Sequence, residues 1–203
     1  MDDIATNTYG KIGPNSIIQT VAALKERYGE GKTAEFLVKV GRSDLTQKLP
    51  AEMVDEQEFN DLVRSIQAGF GNQELTQLLR RSGELTAAYL LKHRIPVPIQ
   101  WILRILPVRS GLKMLLSAIE KNAWTFVGTG SYRFTIENHP KITIERCVSC
   151  RGMSADEPIC AFYEGTFQTL IRTLVDQKAT VKETSCSANG ASACIYEVRL
   201  GTE

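Results

Sequence analysis

At Ala123 the hydrophobic pattern of this 203-residue chain changes period, and that change limits the folds open to it. Upstream, apolar residues recur every three or four positions: Ile17, Val21, Leu24 and Tyr28, then Phe59, Leu62, Val63 and Ile66, then Leu75, Leu78, Leu79, Leu85 and Tyr89. Such spacing places the side chains on one stripe of a helix. The first helix is expected to open at Asn15 or Ser16 and stop at Gly29, and Gly83 to interrupt the third. Pro96, Pro98 and Pro107 mark helix starts or breaks.

Downstream the apolar residues alternate. Trp124, Phe126, Tyr132, Phe134 and Ile136 read as one strand, and Ile142 and Ile144 as part of a second. Tyr163, Phe167, Leu170, Ile171 and Leu174 then form a helical stripe, with Asp156 and Pro158 where a cap and first turn belong. "ATVKETSC" and "ACIYEVRL" are two further strands, joined through Asn189-Gly190. The reading is therefore α+β. A helical portion, residues 1–122, packs on a β-β-α-β-β unit with an antiparallel sheet, residues 123–203, the two forming one integrated domain.

A net charge of +1 gives no electrostatic reason to expect nucleic acid as a partner. The acidic, polar start "MDDIATNTYG" has neither the basic nor the apolar region of a secretory signal, so a cytoplasmic location is expected. There structural disulfides are rare, and clustered cysteines bind metal, react or fill space. The longest apolar stretch, 95–119, is broken by three prolines, Arg104, Arg109 and Lys113. It reads as a buried or partner-facing helical pair rather than a membrane span, with interfacial membrane contact as the alternative.

The five cysteines, Cys147, Cys150, Cys160, Cys186 and Cys194, are the informative set. A two-residue Asn-Gly turn would pair Cys186 with Ala193 and put Cys194 on the opposite sheet face. An odd-length loop centred on Gly190 would instead set Cys186 directly across from Cys194, close enough to share one zinc ion. Cys160 at the start of the last helix could approach from the side, where the helix N-terminus favours a thiolate. Glu183 could complete four ligands. The plainer alternative is three buried thiols acting as small hydrophobes. "CVSC", residues 147–150, is a rival half-site that could form its own cluster with Cys160.

Other motifs fail on inspection. "GEGKT" (29–33) has Glu26 where a phosphate-binding loop needs its first glycine, and follows a helix instead of a strand. "GTGSYR" (128–133) puts Arg133 at the third glycine of a dinucleotide fingerprint. His93 and His139 could each ligate a tetrapyrrole metal, but ordinary surface histidine explains both.

The stretch "DEPICAFYEGTFQTLIRTLVDQKATVKETSCSANGASACIYEV" resembles the vinyl-4-reductase domain family. The shared pattern is a cysteine opening an amphipathic helix, a strand ending in Glu-x-x-Cys, and a second cysteine eight residues on. The resemblance implies helices against an antiparallel sheet, similar to the trafficking-complex subunit fold, often dimeric, with a pocket for small hydrophobic ligands. In related sensor domains of phenol-responsive activators this pattern holds zinc, which implies Cys160, Glu183, Cys186 and Cys194 as ligands here. Four protein ligands would make the zinc structural, with no open position for water. Cys147 and Cys150 fall outside the pattern.

The chain as a whole, with "NAWTFVGTGSYRFTIENHP", is similar to stand-alone family members of bacteriochlorophyll synthesis. The resemblance implies a chlorophyllide-type or protochlorophyllide pigment as ligand or substrate. Reduction of its vinyl group needs an electron donor, and the residues offer no nucleotide motif. The expected function is thus a tetrapyrrole-binding accessory or carrier protein that presents pigment to a synthesis enzyme. The alternatives are the vinyl reductase itself, using a partner's reductant, or a hydrophobic-ligand sensor. Trp101, Trp124, Phe126 and Tyr132 are aromatic candidates for a pocket or for plain core.

Overall fold

A computed structural model describes residues 10–201. The acidic start read above for signals therefore lies, except for Gly10, outside the described residues. A long helix, α1 (Asn15–Lys39), is followed by a short α2 (Asp44–Gln47) and by α3 (Glu56–His93). Two-residue strands β1 (Lys11–Ile12) and β2 (Val54–Asp55) pair antiparallel just before α1 and α3. Asp55 caps α3 by accepting a hydrogen bond from the Gln57 amide at 2.8 Å.

Both long helices break at a glycine. Gly29 in α1 (φ 81°, ψ 165°) and Gly71 in α3 (φ 81°, ψ 172°) occupy a region open in practice only to glycine. The expected stop at Gly29 is thus a sharp kink after which the helix resumes. Gly83, in contrast, does not interrupt α3. Its missing side chain lets α6 (Ala161–Leu174) approach instead.

After α3 come α4 (Val97–Ile105) and α5 (Val108–Lys121), opening behind Pro96 and Pro107. The four-stranded antiparallel sheet consists of β3 (Ser131–Thr135), β4 (Lys141–Glu145), β5 (Thr180–Ser185) and β6 (Ala193–Arg199), in the order β3-β4-β6-β5. Helix α6 packs between this sheet and α3, and α3 in turn packs on α1. Tyr163 and Phe167 of α6 lie against Tyr196 of β6, with ring centroids 6.2 and 5.8 Å apart. The expected β-β-α-β-β order is observed.

Two local expectations are corrected. Trp124 and Phe126 are not on a strand: Ala123–Thr125 is a 3₁₀ turn, and β3 begins only at Ser131. The reason is Gly128, at φ 56°, which folds the chain over the buried Glu56 carboxylate. Glu56 accepts hydrogen bonds from the Thr129 amide (2.9 Å) and hydroxyl (2.7 Å) and pairs with Arg151 at 2.7 Å. Asp156 and Pro158 do not start α6 either. Cys160 is its N-cap and its side chain makes no capping bond; the Cys160 amide is satisfied by Glu183 Oε2 at 2.8 Å. A carboxylate from a neighbouring strand thus does the work expected of a local cap.

Candidate metal centre

Plain alternation along β5 would send Glu183 and Cys186 to opposite faces, since they are an odd number of residues apart. The strand avoids this with a bulge. Glu183 pairs with Tyr196, but Ser185 pairs with Ile195, so Thr184 is the extra residue. Glu183 and Cys186 are consequently both buried while Thr184 points outward. Continued by one step, the shifted register sets Cys186 opposite Cys194. The loop between them turns through a 3₁₀ segment, Ser187–Asn189, and a left-handed Gly190 (φ 89°). This is the odd-length arrangement centred on Gly190.

The Cys186 and Cys194 sulfurs lie 3.9 Å apart, and Cys160 Sγ is 3.6 Å from each of them. Two thiolates on one tetrahedral zinc, with bonds of about 2.3 Å, stand about 3.8 Å apart. All three cysteines are buried and free of disulfides. Glu183 is held over them: its Oε2 accepts from Cys160 N, and its own amide donates to Glu164 Oε2 at 2.8 Å. Glu164 is itself buried and paired with Arg80 of α3. Glu183 Oε1 is buried with no hydrogen-bond partner. An orphaned carboxylate oxygen beside three thiols is the donor set a thiophilic divalent cation satisfies, so the residues fit the metal that the family pattern implies.

The electrostatics agree. Burial pushes the Glu183 carboxyl up to about 11, reinforced by negative charge on Cys186 and Cys194. Hydrogen bonds from the Cys150 and Cys160 thiols hold the Cys186 thiol down at about 6. Acidic groups are crowded together without water, a situation a bound cation relieves.

The structure also brings in the two cysteines that the family pattern leaves out. Cys147 and Cys150 flank a 3₁₀ turn after β4, and both are buried. Cys147 Sγ is 3.6 Å from Cys160 Sγ, and Cys150 Sγ is 3.6 Å from Cys194 Sγ. All five thiols therefore form one cluster with two overlapping four-ligand sets: Cys160, Glu183, Cys186 and Cys194, and Cys147, Cys150, Cys160 and Cys194. The "CVSC" turn is fixed from α3, where Asn60 Nδ2 donates to the carbonyls of Val148 (2.8 Å) and Arg151 (3.1 Å).

The other candidates separate. Phe126 and Tyr132 join Tyr163 and Phe167 in the aromatic core between α6 and the sheet. Trp101 and Trp124 are exposed. His93 ends α3 and His139 lies between β3 and β4; both are exposed, and His93 rests against the Tyr89 ring at 4.8 Å. "GEGKT" spans the Gly29 kink of α1 and forms no strand-to-helix loop. A groove of about 700 Å³ runs between α1 and α3. Its aromatic residues are Tyr28, Phe36 and Phe70, with Tyr28 stacked on Phe70 at 4.9 Å, and Lys32 and Lys39 line it as well.

The fold is shared with solved haem proteins. A chain from work on heme distortion in the H-NOX family matches with a TM-score of 0.61 at 13% identity, over 93% of this chain and 94% of that one. At such identity the likeness shows fold alone. The family model for the vinyl-4-reductase domain matches residues 140–200, which contain all five cysteines. The chain belongs to the vinyl-4-reductase domain family. It is 33% identical over 189 residues to the bacteriochlorophyll synthase 23 kDa chain of Cereibacter sphaeroides, covering 93% of this chain and 90% of that relative. The 23 kDa chain of Rhodobacter capsulatus is 31% identical over 187 residues, 92% of this chain and 85% of that one.

Proposed function

We propose that the chain is a tetrapyrrole-binding accessory protein of bacteriochlorophyll synthesis that holds a chlorophyllide-type pigment and hands it to a pigment-synthesis enzyme. The observation that carries this reading is the end-to-end similarity to chains named for bacteriochlorophyll synthase. Two features of the molecule support binding over catalysis. The cysteine cluster is wholly buried, so a metal in it would be ligated by protein alone and would activate no water. The groove between α1 and α3 offers aromatic faces for a planar macrocycle and lysines for its carboxylate.

In this reading zinc is structural and is held by Cys160, Glu183, Cys186 and Cys194. It fastens the β5–β6 hairpin to the start of α6, which continues through Glu164 and Arg80 into α3. Cys147 and Cys150 remain thiols that donate toward the thiolates. The family resemblance further implies a homodimer of the trafficking-subunit type, which sedimentation of the purified protein tests.

The deciding experiment mixes purified protein with divinyl protochlorophyllide under anaerobic conditions, with and without NADPH, and follows both the absorption spectrum and the extracted pigment. A shifted spectrum with unchanged vinyl content is expected, weakened by Phe70→Ala or by joint Lys32→Gln and Lys39→Gln substitution. An unshifted spectrum overturns the proposal. Conversion to the monovinyl pigment makes the chain a reductase.

A further inference from the structure

The segment from α4 into α5 inverts the usual distribution of apolar residues. On α4 the exposed stripe is Val97, Trp101 and Ile105, which are 63%, 62% and 77% exposed, with Ile102 beside them at 41%. These positions follow one another at i, i+4 and i+8, so they form a single ridge along one side of the helix. The opposite side is already spoken for: Leu103 is buried, Gln100 donates to the carbonyls of Leu91 and Ile95, and Arg104 donates to the Thr173 carbonyl. The helix is therefore anchored to the body of the protein by one face and presents its more apolar face outward.

Charge around this ridge has one sign. Between Glu84 and Glu120 the chain contains no acidic residue, yet Lys92, Arg94, Arg104 and Lys113 all lie in that interval and are exposed. A tryptophan and aliphatic ridge bordered by cations matches the interface of an anionic bilayer, where the indole sits at headgroup level and basic side chains reach the phosphates. A second copy docking here would set these same cations against one another, which disfavours a symmetric contact through the patch. No helix of the described residues is long and apolar enough to cross a membrane, and at about 1.5 Å per residue α4 spans only about 13 Å, so the contact is one of lying on the surface.

We propose that α4 is a membrane-docking element that seats the Val97–Trp101–Ile105 ridge on an anionic lipid surface. The proposal stands on the patch alone and does not depend on the pigment reading.

The test uses the full-length protein and co-sedimentation with phosphatidylcholine vesicles, with or without phosphatidylglycerol. Binding is expected with the anionic vesicles, falling as salt is raised, and little is expected with phosphatidylcholine alone. In a Trp124→Phe background, Trp101 emission should shift to the blue on binding. Trp101→Glu with Ile105→Glu should lower vesicle affinity by at least roughly ten-fold. Because both residues are exposed, the thermal unfolding midpoint should not move. Lys113→Gln with Arg94→Gln should weaken binding and flatten its salt dependence. Failure of the wild-type protein to bind anionic vesicles at low salt overturns the proposal, as does equal binding by the double glutamate variant. A wild-type dimer that the glutamate pair dissociates would assign the ridge to a protein contact and overturn it too.

Discussion

Gly83 of α3 and Gly165 of α6 face one another's helices where the two cross. A Cβ on Gly83 would meet the Phe162 carbonyl oxygen at 2.1 Å, and one on Gly165 the Arg80 carbonyl oxygen at 2.3 Å. The same crossing is held by Thr166 Oγ1, which donates to the Gly83 carbonyl at 3.2 Å. Contact at backbone level leaves no flexible side chain to move aside. Gly83→Ala or Gly165→Ala should therefore destabilise the protein by about 2–3 kcal/mol, the upper part of the range for overpacking. Thermal denaturation should show a midpoint lower by about 5 °C or more. An unchanged midpoint in both variants would mean that the helices separate easily, contrary to this packing.

The two overlapping ligand sets make different demands on substitution. With Glu183 in the set, protein purified under reducing conditions should carry about one equivalent of zinc. Cys186→Ser or Cys194→Ser should abolish it, and the joint Cys147→Ser, Cys150→Ser variant should retain it. Chelation should lower the unfolding midpoint, because metal that binds only the folded chain adds its binding free energy to stability. Metal lost from the Cys147/Cys150 variant but kept by Cys186→Ser would assign the ion to the other set.

Acid should loosen the start of α3. Burial raises the Glu56 carboxyl, but hydrogen bonds from Arg151 and from the Thr129 hydroxyl and amide outweigh it and hold the group below its ordinary value. A carboxyl depressed by folding contributes stability that is fully present above its unfolded value, about 4.3, and is lost as pH falls through the lower folded value. Denaturant midpoints should accordingly drop below about pH 4.3. Glu56→Gln should remove part of that acid slope and cost about 3 kcal/mol at neutral pH, since it leaves Arg151 beside a neutral amide. Equal acid slopes in the two proteins would refute this account.

Two glycines one helix apart should respond with opposite signs. Gly71 sits at φ 81°, so Gly71→Ala forces a side chain into a strained backbone region and should cost about 1–3 kcal/mol. Gly31 lies in α1 with open space around it and no positive φ. Gly31→Ala should add about 0.5–1 kcal/mol by restricting the unfolded chain. Chemical denaturation of the pair measures the contrast.

Features of the sequence that depend on near neighbours were legible. The helical stripes of α1, α3 and α6, the change of period near Ala123 and the odd-length loop around Gly190 all follow from local spacing. What escaped depended on approach from far along the chain. Trp124 and Phe126 alternate like strand residues, yet Gly128 must turn over Glu56, some seventy positions earlier in sequence. Gly83 resembles a helix breaker until α6 is seen against it. The bulge at Thr184 has no local signature, although the Glu-x-x-Cys spacing could have signalled it, since both side chains can share a site only if the strand departs from alternation. Cys147 and Cys150 offered a recognisable CxxC, but its closeness to Cys194 depends on Asn60 drawing the turn onto α3.

The bulge has a consequence for how this hairpin can vary over generations. Surface loops ordinarily gain and lose residues freely. Here a single insertion or deletion between Glu183 and Cys194 would turn one sulfur or the carboxylate to the outside, so an exposed tip is as constrained in length as a buried strand. Its side chains can drift, but its residue count cannot. Across related chains, the length of this segment should vary far less than its composition.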